Sequence, residues 1–154
     1  MKIRFIQAGG SIDKDYLGNS ASHGYNFLID KPASSMILER VKPKFSYEKE
    51  SVIKKDSLDL VAEDREKIYQ ACKNSPEDKI IITHGTDMIQ ETAQKLDSIK
   101  DKIIVLVGAM RPAQFWDSDA PFNIGLAVGG VQTLTSGIYI VMHGIIYPWQ
   151  EYKK

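Results

Sequence analysis

The chain is poor in cysteine, in net charge and in long apolar runs, and each shortage excludes something. Its single cysteine, Cys72, rules out an intramolecular disulfide and suits a reducing compartment. Cys72 sits in a helical pattern and reads as a small core or surface residue rather than a nucleophile. Lysine plus arginine number 20 and aspartate plus glutamate 20, so nothing favours nucleic acid or an anionic membrane as a partner. No apolar run approaches the roughly 18 residues needed to cross a bilayer. The N-terminus enters a strand pattern at once, without a signal peptide's apolar region and cleavage site. The three histidines, His23, His84 and His143, show no close ligand spacing, so no metal is expected. The G-x-G-x-x-G spacing and the longer glycine–lysine phosphate loop are both missing. At 154 residues the expectation is one cytoplasmic domain, 1–154, large enough to bury a core without staples.

What is present centres on Ile80-Ile81-Ile82-Thr83-His84-Gly85-Thr86-Asp87-Met88-Ile89. A β-branched run ends in a small polar cluster, and a helix-forming run follows: a buried strand, a tight turn and a helix start. In an open α/β sheet the carboxyl ends of parallel strands are where ligands bind. Thr86 and Asp87 therefore stand where chemistry is possible, although both are also common helix caps.

The rest of the chain repeats this grammar. Lys2–Gln7 reads as a first strand, broken by Ala8-Gly9-Gly10-Ser11. The paired glycines permit a sharp turn with open N–H groups, and Ser11 puts a hydroxyl at the strand's carboxyl end. An ordinary glycine turn explains the same residues. Residues 13–31 read as a loop and candidate lid. A helix over 32–41, starting at Pro32, precedes one or two edge strands within 44–53. Ser57 and Asp59 lie in the next loop, as ligand-facing or turn residues. A helix from Ala62 to Asn74 turns Ile68 and Ala71 inward. A strand over 102–107 ends in Gly108-Ala109-Met110-Arg111-Pro112. A polar loop carrying Asp117 and Asp119 leads to a helix over 122–134, whose Gly125, Gly129 and Gly130 suit close packing on the sheet. The last strand is Gly137–Met142. About five strands alternating with helices give an α/β fold: a three-layer α/β/α sandwich with a mostly parallel, flavodoxin- or Rossmann-like sheet.

Five segments together resemble the bacterial-type L-asparaginases. They are Gly9-Gly10-Ser11-Ile12, Lys55-Asp56-Ser57-Leu58-Asp59, Thr83-His84-Gly85-Thr86-Asp87, Val107-Gly108-Ala109-Met110-Arg111-Pro112 and Ser118-Asp119-Ala120-Pro121-Phe122-Asn123. The resemblance implies amide hydrolysis through an acyl-enzyme, releasing ammonia and then the acid, with no cofactor. It makes Ser11 the first-loop nucleophile, where the family has threonine. Tyr25 takes the lid position that helps activate it, with Tyr16 and Phe27 as alternatives. Thr86 becomes the second catalytic hydroxyl and Asp87 the carboxylate that holds the substrate amine. Lys154, or Lys153 beside it, becomes the lysine that polarises Thr86, unless the chain end frays into solvent. Substrate binding falls to Gly10, Ser57, Gly85 and Ala109. The chemistry explains these residue types: a hydroxyl needs a base to become a nucleophile, and a developing oxyanion needs donors such as exposed backbone N–H groups.

The departures from the family pattern are specific. Ala8 and Ser11 replace the two threonines of Thr-Gly-Gly-Thr, and Leu58 replaces a glutamine that touches the substrate amine. Full-length members also have a second, C-terminal domain that lends an acidic residue to a neighbouring subunit, and the sequence stops before it. The resemblance is thus to short, single-domain members, and it implies a homodimer that closes the open side of the site. Two other readings stay open. One is a non-catalytic amino-acid-binding module, and the other is a domain completed by a partner chain.

Overall fold

The computed structural model describes residues 1–16 and 27–154. Parallel strands β1 (Lys2–Gln7), β4 (Ser46–Ser51), β5 (Lys79–Thr83), β6 (Ile103–Val107) and β7 (Gly137–Met142) form one sheet. A sixth strand, β8 (Ile145–Pro148), pairs antiparallel with β7, and the order is β4-β1-β5-β6-β7-β8. The α/β/α sandwich and its mostly parallel sheet are as expected, with the flavodoxin-type order in which the chain leaves β1 first to one side and then to the other.

The strand sequences explain the layering. Along β5 and β6 the side chains of Ile80, Ile82, Ile104 and Leu106 enter one core cluster, and those of Ile81, Ile103, Val105 and Val107 the opposite one. This is the two-residue alternation of a strand buried on both faces. Helices α2 (Ala62–Asn74) and α3 (Ile89–Leu96) cover the first face through Ile68, Cys72, Ile89, Ala93 and Leu96. Helices α1 (Ala33–Val41) and α4 (Ala120–Thr133) cover the second through Ile37, Leu38, Ile124, Ala127 and Val131. Cys72 is fully buried, and burial pushes its thiol up to about 12, which makes it an inert core residue.

The structure departs from the sequence reading at four places. The expected loop over 13–31 contains a short antiparallel pair, β2 (Lys14–Tyr16) with β3 (Phe27–Ile29). The sheet has six strands rather than about five, because His143 and Gly144, at φ 53° and 75°, make a two-residue hairpin turn into β8. Of the three α4 glycines only Gly130 is tightly packed: a side chain there would meet Ile146 at 3.1 Å, whereas Gly125 and Gly129 face open space. Finally, Met88 stands at the N-cap of α3 and no side chain caps it, so Thr86 and Asp87 are released from that role.

At the amino end of the sheet, Glu77 anchors β1 to β5. Its carboxylate is buried and accepts from Arg4 and Ser75 at 2.9 Å each, with Lys2 at 3.2 Å. Burial alone would raise its pKa, but the hydrogen bonds from Ser75, Arg4 and Lys2 together outweigh burial and bring it down to about 2. A depressed carboxylate stabilises the fold above its unfolded value near 4.5 and loses that contribution as pH falls through about 2. Glu77→Gln should therefore cost about 2–3 kcal/mol in urea unfolding at pH 7. The gap from wild type should narrow steadily as the pH is lowered through this window.

Candidate active site

Four loops leave the carboxyl ends of β4, β1, β5 and β6, which are neighbours in the sheet. They approach more closely than side chains would allow. Gly9 and Gly10 both adopt positive φ, 86° and 84°, so the chain after β1 folds back on itself. A Cβ on Gly10 would lie 2.2 Å from the backbone of Gly85, and one on Gly85 only 2.5 Å from Ser57 Oγ. Gly10 N–H also donates to Lys55 O at 2.9 Å. The first loop, the second loop and the turn bearing Ser57 are thus in direct backbone contact.

Ser57 opens a single helical turn, Ser57–Asp59, and is 1 % exposed. Its Oγ has no hydrogen-bond partner among the described residues. An unsatisfied buried hydroxyl costs free energy unless a ligand meets it. Ser11 begins the turn Ser11–Asp13 and is half-buried. Thr86 is half-buried and Asp87 exposed. A Cβ on Gly108 would come within 3.0 Å of Thr86 Cγ2, so the loop after β6 packs beneath Thr86.

The chain end is held in place. Tyr152 is buried in the core cluster beneath α3, its ring edge-on to Tyr147, and Trp149 Nε1 donates to Asp97 Oδ1 at 3.0 Å. Two residues later, Lys154 Nζ bonds and pairs with the Asp87 carboxylate. That anchorage meets the question of fraying, and it is Lys154, not Lys153, that reaches the turn after β5. Ala109 is 1 % exposed and packs in the second core cluster, so its side chain belongs to the core and does not line an open cleft. Tyr25 lies outside the described residues, as does His23, and nothing is assigned to the side chains of Tyr16 and Phe27.

Several supporting residues escaped the sequence reading. His84 is fully buried, its Nδ1 2.8 Å from Gly85 O and its Nε2 2.8 Å from Thr92 Oγ1. A carbonyl only accepts, so Nδ1 carries the proton and Thr92 donates to Nε2. Burial pulls the imidazole down to about 4, so it is neutral and shapes the turn without titrating near pH 7. Asp119 accepts from the N–H groups of Met110 and Arg111 at 3.0 and 3.1 Å. Asn123 donates to Gly108 O and accepts from Gly144 N, tying the loop after β6 to the β7–β8 turn. Both lie in the Ser118-Asp119-Ala120-Pro121-Phe122-Asn123 segment named above, which by itself does not say what either would bind.

The family profile "Asparaginase, N-terminal" matches residues 2–154. The chain belongs to the asparaginase family. Over 82 residues it is 40 % identical to L-asparaginase 2 of Escherichia coli (strain K12), an alignment covering 50 % of this chain and 24 % of that protein. It is 32 % identical over 110 residues to the glutaminase-asparaginase of Acinetobacter glutaminasificans, covering 68 % and 32 % of the two chains. Its fold superposes on the thermostable L-asparaginase from Thermococcus kodakarensis with a TM-score of 0.80 and 26 % identity, over 95 % of this chain and 45 % of that one. This asparaginase-family chain therefore spans less than half the length of each of these relatives.

The orphaned hydroxyl and the glycine contact make opposite predictions for stability. Ser57→Ala should leave the protein unchanged or stabilise it by about 1 kcal/mol, because it removes an unsatisfied buried group. Gly85→Ala should cost about 1–3 kcal/mol by forcing the loops apart. Thermal unfolding of the two variants against wild type checks both.

Proposed function

We propose that the protein is a small amidohydrolase of the asparaginase type, acting on asparagine or a related short amide. The observation that carries the reading is the buried Ser57 hydroxyl, without a partner among the described residues and set against Gly85. It is a donor awaiting an acceptor, and the substrate's α-carboxylate is the group we assign to it. Asp87 supplies the opposite charge for the substrate amine.

In this reading Ser11 Oγ attacks the side-chain amide carbon, giving up its proton to a base, for which Tyr25 is our candidate. The amide nitrogen takes a proton and leaves as ammonia. Water then adds to the ester on Ser11, and the acid departs as the serine proton is restored. Thr86 acts as the second hydroxyl, with Lys154 and Asp87 as the charged pair beside it. The N–H groups of the Gly10 and Gly85 loops are the candidates for the oxyanion. Serine in place of threonine keeps the nucleophile but loses the methyl that restricts its rotamer.

The alternative is a site that binds an amino acid without turning it over, or one completed by another chain. Leu58, 68 % exposed beside Ser57, favours it, because an apolar side chain there offers the substrate amine nothing. A homodimer, which would cover that open side, belongs to the hydrolase proposal, as does a cytoplasmic location.

Ammonia release from L-asparagine and L-glutamine is the deciding measurement. Ser11→Ala and Thr86→Ala should each lower kcat about a thousandfold or more, as losses of acting groups do in other acyl-transfer sites. Ser57→Ala should weaken aspartate binding about tenfold or more, the value of one hydrogen bond to a charged group. An inactive wild type that still binds aspartate in calorimetry would overturn the hydrolase in favour of the binding module.

A further inference from the structure

Three carboxylates are buried among the described residues: Asp13, Asp64 and Glu77. Asp64 meets Lys55 at 2.7 Å, and Glu77 meets Arg4 and Lys2. Asp13, 3 % exposed, meets only uncharged donors among the described residues. Its Oδ1 accepts from Ala33 N at 2.6 Å and its Oδ2 from Thr83 Oγ1 at 2.8 Å, and the nearby Gln7 side chain and Gly9 N–H also favour its ionised form. A buried carboxylate without a countercharge is a costly group to keep.

Its position gives that cost a use. Asp13 ends the turn that Ser11 begins, and Ala33 is the first residue of α1. Thr83 is the last residue of β5, three before Thr86. The carboxylate is thus the polar link between the loop that carries one hydroxyl and the strand that delivers the other. We propose that ionised Asp13 is a positioning residue that locks the Ser11 turn to the Thr86 turn, and that turnover depends on this form. The claim about turnover rests on the hydrolase reading above.

The neighbouring charges are engaged elsewhere. On its own segment Lys14 pairs with Asp56, and Asp15 is exposed. Before α1, Asp30 pairs with Lys54. Lys55, on the loop against Gly9 and Gly10, pairs with Asp64. At the end of β5, His84 is bound to Gly85 and Thr92. Burial raises the Asp13 carboxyl, while the bonds from Ala33, Thr83, Gln7 and Gly9 pull it back, and the result is about 6. On protonation Oδ2 can only reverse its bond with the Thr83 hydroxyl, and the neutral carboxyl is a weaker acceptor for the Ala33 N–H, so the link loosens.

Stability and activity then separate. A carboxyl raised in the folded state contributes stability that is fully present below its unfolded value near 3.8 and is lost as pH rises through about 6. The Asp13 contribution thus grows as pH falls through that window, while turnover declines. A merely structural aspartate would not show this opposition.

The test combines nitrogen-15 NMR, thermal unfolding and hydrolysis between pH 4.5 and 8, on wild type, Asp13→Asn and Thr83→Val. In wild type the amides of Gly9, Ala33, Ser11 and Thr86 should titrate together with a midpoint at about 6. The acid limb of kcat should share that midpoint, without a parallel fall in melting temperature. Asp13→Asn should abolish the titration and lower kcat about ten- to a hundredfold with a smaller change in KM, as slight misplacement of reacting groups does. Thr83→Val, which removes one bond to the ionised form, should move the limb to higher pH. An acid limb unchanged in Asp13→Asn, or in Thr83→Val if the first variant does not fold, overturns the proposal. If wild type releases no ammonia, the hydrolase reading fails by itself. The locking role is then judged from the amides alone: joint titration at about 6 upholds it, and its absence overturns it.

Discussion

Everything at this site depends on glycines that let the loops meet where no Cβ would fit. Gly10 rests on Gly85, and Gly85 rests on the Ser57 hydroxyl, at separations that any Cβ would violate. This contact turns three loops from three strands into one surface. It also explains why a protein of ordinary core composition spends positive φ angles at Gly9 and Gly10, conformations that other residues adopt only at a cost.

Around the contact, hydrogen bonds from side chains to the backbone do most of the positioning. His84 is kept neutral by burial and braces its turn from within, while Asp119 and Asn123 gather the N–H and C=O groups of the next loop. Charge is used where it can meet solvent, in the pair between Lys154 and Asp87. Two carboxylates near the contact are interior: Asp64 meets Lys55, and Asp13 meets uncharged donors alone among the described residues. The amino end of the sheet uses the opposite device: there Glu77 is surrounded by Arg4 and Lys2 and stays ionised through ordinary acid conditions.

The profile match over residues 2–154 places the chain in the asparaginase family, and the profile is that of the N-terminal part. Family membership accounts for the spacing of the five segments. Ser11 and Leu58 are particular to this chain, since both stand at positions where the resemblance implies another residue.

Much of the fold was legible without coordinates. Uninterrupted Ile and Val runs such as Ile80-Ile81-Ile82 have one good solution, a strand buried on both faces, and they mark where the loops must emerge. The bounds of α2 were legible too, because its apolar spacing is regular. The hairpin to β8 was not, since its signal is only two residues, His143 and Gly144, between β-branched runs. Nor was the lack of a cap on α3, because Thr86 and Asp87 have the composition of caps and only their surroundings show otherwise. The sequence by itself determined which residue types stand at each strand end. Tertiary structure alone decided that Ser57 would be buried without a partner among the described residues, that Tyr152 would hold Lys154 against Asp87, and that Asp13 would join two loops. Each of those depends on contacts between residues far apart in the chain, and no local pattern encodes them.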